Sequence, residues 1–213
     1  MKGKVIRSVR PTRIELLKLK KQEMIARKGH TLLEDKLDAL IIEFLRHMDV
    51  YRRERREVEA HLAVAAGFLT DAMLTMGDRK VEEIARSAPG IPDITMGSRI
   101  IMGVRVPRIE PDPSAWGDRL PAYSSLGTSA RLDEAVSAYQ ELSLALLRLA
   151  ELEGTVRTLA QEVKTTRRRV NALEHILLPR LAATRHAIEM HLEEREREDM
   201  FRRKRTKQLL MGH

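Results

Sequence analysis

The chain has no cysteine in its 213 residues. That excludes a disulfide framework, a thiolate nucleophile and any metal site built on sulfur. Aromatic residues make up only 3% of it, too few for a thick globular core, which relies on large rings for much of its buried area. There is no run of eighteen apolar residues, so no helical membrane span is expected. Met1 to Arg10 is basic and lacks the apolar segment of a signal peptide; it is expected to fray.

Catalytic signatures are missing as well. No phosphate-cradling Gly-rich loop and no nucleophile elbow occurs. His186 and His191 are five apart, which misses the spacing that places two zinc ligands on one helical face. His30, His47, His61 and His175 stand alone on helical stretches and read as ordinary surface or seam residues. No catalytic residue, cofactor or metal is expected.

What is present is charge and periodicity. Charged residues are 33% of the chain and the net charge is +8, a composition typical of coiled coils. From Arg131 to Leu210 the only breakers are Gly154 and Pro179. Apolar residues recur three or four apart through Leu132, Val136, Tyr139, Leu142, Leu146 and Leu149, then Val156, Val163, Val170, Leu173, Leu177, Leu181, Ile188 and Leu192. This is a helix burying one stripe. At 1.5 Å per residue it would run on the order of 120 Å, too long to lie inside a globular domain, so it requires a partner helix.

That partner is the N-terminal stretch. Leu37, Ile41, Phe44, Met48, Tyr51, Arg55, Val58, Leu62, Ala65, Leu69, Ala72 and Met76 alternate steps of four and three, a sustained heptad seam. The spacing predicts a first helix over 12–76 and a second over 130–210, folded back as an antiparallel pair in which facing residue numbers sum to about 207. Arg55 then falls near Glu151 and Glu153, either as a polar layer that sets register or with its head group snorkelling to solvent. Pro179 either kinks the second helix or is absorbed as a local irregularity.

Residues 77–129 differ in composition and form an insert. A short helix is expected over Arg79 to Ser87, stopped by Pro89-Gly90. Ile94 to Val106 alternates, with Ile100, Met102, Val104 and Val106 on one side and Arg99, Gly103 and Arg105 on the other. It reads as one strand or as two strands turning near Gly103. Pro107 excludes a central strand beyond it, and Glu110 to Ser114 is loop. The fold class is therefore all-α: a long antiparallel two-helix coiled coil with a small insert, short tails at 1–11 and 211–213, and a β-hairpin as one reading of the insert.

The basic runs Arg52-Arg53, Arg55-Arg56, Arg167-Arg168-Arg169 and Arg202-Arg203-Lys204-Arg205 could touch phosphates. Base-stacking aromatics are missing beside them, and Glu54, Glu57 and Glu59 dilute the first cluster. A solvated or protein-facing surface is the better reading, with a basic scaffold or nucleic-acid-binding protein as the alternative.

The run Thr166-Arg167-Arg168-Arg169-Val170-Asn171-Ala172-Leu173-Glu174, followed by Pro179, resembles the hallmark of the D subunit of the archaeal-type and vacuolar-type rotary ATPases. Pro11-Thr12-Arg13, Leu16-Leu17, Ala26, Gly29, Leu32-Leu33, Lys36, Asp38 and Leu40 are similar to that family's opening motif. So is Leu192 to Glu198, with Phe201, Arg202, Lys204 and Lys207 after it. The resemblance implies a rotor axle whose termini enter the ring of catalytic A and B subunits. It also implies a small F subunit along the lower coiled coil, a C subunit linking the opposite end to the membrane ring, and a β-hairpin at that end. On this reading the chain is noncatalytic, binds no nucleotide, does not insert into the membrane and lies peripheral to it in the cytoplasm. Arg167, Arg168, Arg169, Asn171, Glu174, Arg202, Arg203, Lys204 and Arg205 become the expected contacts to the catalytic head. Exposed residues of Arg52 to Thr75 and Ser137 to Val156 become the expected contacts to the F subunit.

Overall fold

The structure, a computed structural model, describes residues 10–87, 93–111 and 128–211. The chain order is α1 (Arg13–Met76), α2 (Asp78–Ser87), β1 (Ile94–Ile101), β2 (Val104–Pro111), α3 (Ala130–Ala172), a π-helical turn (Leu173–Leu177) and α4 (Leu178–Met211). The loop expected over Glu110 to Ser114 is corrected at its start, because Glu110 and Pro111 pair with β1 as the end of β2. The rest of it, Pro89-Gly90 and most of both tails fall on residues outside those described. The protein is mostly helical, with a small two-stranded antiparallel sheet between long helices in chain order.

Local chemistry explains where the helices begin and end. Thr12 caps α1, its Oγ1 accepting the Glu15 N–H at 3.3 Å, and Glu15 puts a carboxylate in the first turn where the helix dipole favours it. Gly77, at φ 85°, takes the left-handed conformation that ends α1, and its N–H reaches the Met73 carbonyl at 2.8 Å. Ser129 caps α3 through the Arg131 N–H at 3.1 Å.

The chain packs as two compact units, 1–38 with 163–213, and 39–162. In the first, the start of α1 runs antiparallel to α4 around Leu19, Leu181 and Ile188, flanked by Leu16, Ala26 and Leu192. The Arg13–Glu196, Lys20–Glu189 and Glu23–Arg185 contacts keep residue sums within two of the expected value. Thr166 and Thr184 are buried in this seam at positions where sequence periodicity anticipates only apolar residues. The Thr184 hydroxyl solves its own burial by donating to the Arg180 carbonyl at 2.7 Å.

Pro179 is half-buried, and the helix widens immediately before it. The Leu178 N–H bonds the Leu173 carbonyl, five residues back rather than four. In a regular α-helix the proline ring would press on the carbonyl four residues earlier, that of His175; a π-turn opens the backbone there. The irregularity read from the sequence thus has a definite form.

In 39–162, Val58, Ala65 and Leu142 form one cluster with Ala138, Tyr139, Ala145 and Leu149, and Ala72, Val81 and Leu132 form another with Leu69, Met73, Met76 and Ile84. The amphipathic α2 covers the second cluster with Val81 and Ile84 while Glu82 and Arg86 pair outside at 2.7 Å. Leu40 and Leu159 are fully buried. Leu62 and Leu146, both placed on the seam by periodicity, remain about half exposed.

Among its described residues the insert contains two strands, joined by Met102-Gly103 at φ 50° and 76°, the left-handed pair that a two-residue hairpin turn requires. The turn reverses the parity expected from a single extended run. Ile101 lies opposite Val104 and Arg99 opposite Val106, whereas Ile100 lies opposite Arg105. Val104 and Val106 are therefore buried while Ile100 is exposed, which corrects the placement of all three on one side.

Candidate interaction surfaces

The hairpin is held on α3 by three contacts. Glu151 Oε2 accepts the Ile109 N–H at 2.9 Å, and its other oxygen lies 3.6 Å from Arg99. Gly154 explains the third. A Cβ at that position would come within 2.7 Å of Pro107 Cγ, so the glycine in mid-helix is the notch that admits the proline ring.

These contacts overturn the Arg55 layer. Arg55 turns outward and bonds Glu59 of its own helix at 3.0 Å, with 59% of its side chain exposed. Glu151 is committed to the hairpin, and Glu153 is exposed. A long, flexible cation one turn from an acid satisfies itself in solvent more cheaply than by desolvation in a helix seam.

A polar layer does exist, at residues that the periodicity passed over. Glu23, 7% exposed, accepts hydrogen bonds from Arg27 at 2.8 Å and from Arg185 at 2.9 Å. Arg185 also reaches Glu189 at 3.1 Å, and Lys20 lies 3.0 Å from Glu189. The Arg27 hydrogen bond, with the nearby Arg185 charge, holds the Glu23 carboxyl below the usual carboxylate range against the opposing effect of burial. The Lys20 hydrogen bond, again with Arg185, does the same for Glu189, and the two carboxylates push Arg185 up. The sequence signal was available in Glu23 and Arg27, four apart and facing a basic and an acidic residue, also four apart.

The expected head-contact residues are arranged by helical geometry. Thr166 and Val170 point into the seam, so Arg167, Arg168 and Arg169 between them are all exposed, and among the described residues none forms an ion pair. Asn171 is exposed. Glu174 lies 3.9 Å from His30 Nε2 and 3.7 Å from His175 Nε2, at the π-turn. Arg202 is 3.7 Å from Glu198; Arg203, Lys204 and Arg205 are exposed, as are Phe201, Leu209, Leu210 and Met211. The surface offers charge and apolar area but no enclosed chemistry. Among the described residues no group of His, Asp and Glu is placed to hold a metal, and no single helix is long and apolar enough to cross a membrane.

The Arg52 to Arg56 cluster is diluted in space as it is in sequence, with Arg52 4.0 Å from Asp49, Arg53 3.8 Å from Glu54 and Arg55 on Glu59. That leaves little concentrated positive potential for a polyanion.

Comparison with known proteins adds a separate line of observation. The family model for the ATP synthase D subunit matches residues 15–208. The chain is 42% identical to the D subunit of the A-type ATP synthase of Methanopyrus kandleri, over 99% of this chain and 90% of that one. It is 43% identical to the same subunit of Thermococcus sibiricus and 42% identical to that of Pyrococcus furiosus, in each case over 96% of both chains.

Proposed function

The chain belongs to the family of ATP synthase D subunits, and from that premise we propose how its surfaces transmit torque in the central stalk of a rotary A-type complex. The D subunit belongs to the stalk and is not the catalytic one. The observation that carries this reading is the match across nearly the whole length, which includes both long helices and the insert between them.

In the proposed arrangement the ends of α1 and α4 stand within the ring of catalytic A and B subunits. Arg167, Arg168 and Arg169, with Asn171 and Glu174 beside them and Arg202 to Arg205 further along, form the bearing surface. Their exposure favours this role, since a rotating axle works best with shallow, long-range attraction to acidic ring loops. Specific deep locks on one ring position would oppose rotation. The small F subunit takes exposed residues of Arg52 to Thr75 and Ser137 to Val156. The C subunit receives the end that carries the insert over 77–129, on the cytoplasmic side of the membrane. A nucleic-acid scaffold is not favoured, because the family match over 15–208 and the acid-paired Arg52, Arg53 and Arg55 both argue against it.

The test is to reverse the bearing charges, Arg167→Glu, Arg168→Glu and Arg169→Glu together, in the assembled complex. ATP hydrolysis should continue while ion pumping per ATP falls several-fold, with helix content by circular dichroism unchanged. Unaltered coupling overturns the bearing assignment.

A further inference from the structure

The two edges of the hairpin are treated differently by the sequence. In a hairpin with a two-residue turn the residues flanking the turn are mutually hydrogen-bonded, and bonded pairs then alternate with unbonded ones. From Ile101–Val104 outward, Arg99–Val106, Gly97–Arg108 and Thr95–Glu110 bond each other, while residues 94, 96, 98 and 100 and their partners on β2 aim their backbone groups outward. On β2 those outward positions are the charged Arg105 beside the turn, then Pro107 and Pro111, which have no N–H, and Ile109, whose N–H is taken by Glu151. On β1 they are Ile94, Met96, Ser98 and Ile100, none of them charged or proline. Among the described residues nothing pairs with this edge. Met96 and Ile100 are 73% and 72% exposed. Sheet edges of this kind are normally blunted by proline, charge or a covering element, and among the described residues β1 has none of these along the row.

We propose that β1 pairs with β1 of a second copy of the chain, antiparallel about a twofold axis at Ser98, to give a four-stranded sheet in the unassembled protein. The strand is self-complementary in that register. Met96 of each copy lies opposite Ile100 of the other, which pairs the two most exposed apolar side chains of the strand twice over. Ser98 meets Ser98, and Arg99 faces Gly97, so the cations stay apart. A shift of one residue toward the turn would set Arg99 against Arg99, with the like-charge repulsion that cross-strand neighbours feel. The paired face continues the apolar surface of Pro107 and Ile109. With a single strand pair in contact the interface is small, and the association belongs to the weak, concentration-dependent class.

The experiment is sedimentation equilibrium of the purified full-length chain over a wide concentration range. The mass should rise from the 24.4 kDa of one chain toward twice that. Ser98→Lys and Ser98→Asp, each placing like charges across the axis, should each weaken association about tenfold or more, and an equimolar mixture of the two should restore it. Rescue by mixing excludes misfolding of the single variants. A wild-type chain that stays at one-chain mass throughout overturns the proposal, as does a dimer indifferent to both substitutions. A monomeric wild type whose Ser98→Lys variant loses capture of other members of the complex overturns it too, and assigns the edge to a strand from one of those partners.

Discussion

Between Ala39 and Glu162 the helix seam is closed by Ala65, Ala72, Leu142 and Leu159, all buried and all apolar. The unit formed by 1–38 and 163–213 also has an apolar cluster, but it adds Glu23, Arg185 and Glu189 as a connected charged layer; buried threonines occur in both units, Thr166 and Thr184 here and Thr155 in the other. Apolar seams reward closeness but discriminate poorly between one register and the next heptad. A buried carboxylate bonded across the seam by an arginine of the facing helix, as Glu23 is by Arg185, discriminates strongly. The difference shows that register is specified chemically in one unit. In the other, small alanines close the helix seam, and the notch at Gly154 fixes by shape where Pro107 of the hairpin sits on α3.

The largest expected effect comes from breaking the charged layer. Glu23→Ala leaves Arg185 without its buried acceptor and should destabilise the chain by about 2–4 kcal/mol in chemical denaturation, the lower part of the range reflecting the one-third exposure of Arg185. The double change Glu23→Leu with Arg185→Met should recover much of that loss. Glu23 and Glu189 both titrate below their ordinary 4.5 in the folded chain. Their stabilisation is therefore complete above that pH and disappears as pH falls through the depressed folded values. Melting curves between pH 7 and pH 3 should show a smaller acid loss for Glu23→Leu with Arg185→Met than for the wild type; equal acid sensitivity would assign the effect to other carboxylates.

Filling the notch comes next. Gly154→Ala should cost about 1–3 kcal/mol through overpacking against Pro107, offset by a better helix residue, and should loosen the hairpin first. Hydrogen exchange at the Ile109 amide reports this directly, and Pro107→Ala in the same chain should return the protection. The smallest effect belongs to Arg55→Ala, expected within about 0.5 kcal/mol because its partner is an exposed residue of the same helix. A loss several times larger would restore it to a structural layer.

Much of this fold was legible because coiled-coil helices announce themselves by apolar spacing. Leu37, Val58, Ala65 and Ala72 are buried where the heptads put them. Legibility failed where polarity and burial part company. Glu23 and the threonines are polar residues inside the seam, hidden from any pattern that reads apolar as inward; Leu62 and Leu146 lie on the pattern yet stay open to solvent. Arg55 stayed open between a layer and solvent in the sequence. The solvent-facing reading is the one seen, since position on the seam does not bury a side chain able to bend back to Glu59. In the insert, strand alternation was visible, but parity across Met102-Gly103 depends on turn geometry, which periodicity does not encode. The exposed arginines proposed as the bearing surface were singled out through family resemblance alone, because nothing in their spacing distinguishes a contact from a solvated face.

The fit between Gly154 and Pro107 also carries a consequence over evolutionary time. Neither residue can drift alone: any side chain at 154 collides with the ring, and a ring lost at 107 leaves an unfilled groove over the helix. Descendants of this sequence should keep both residues or abandon both together. Two positions 47 apart in the chain would then be inherited as one character.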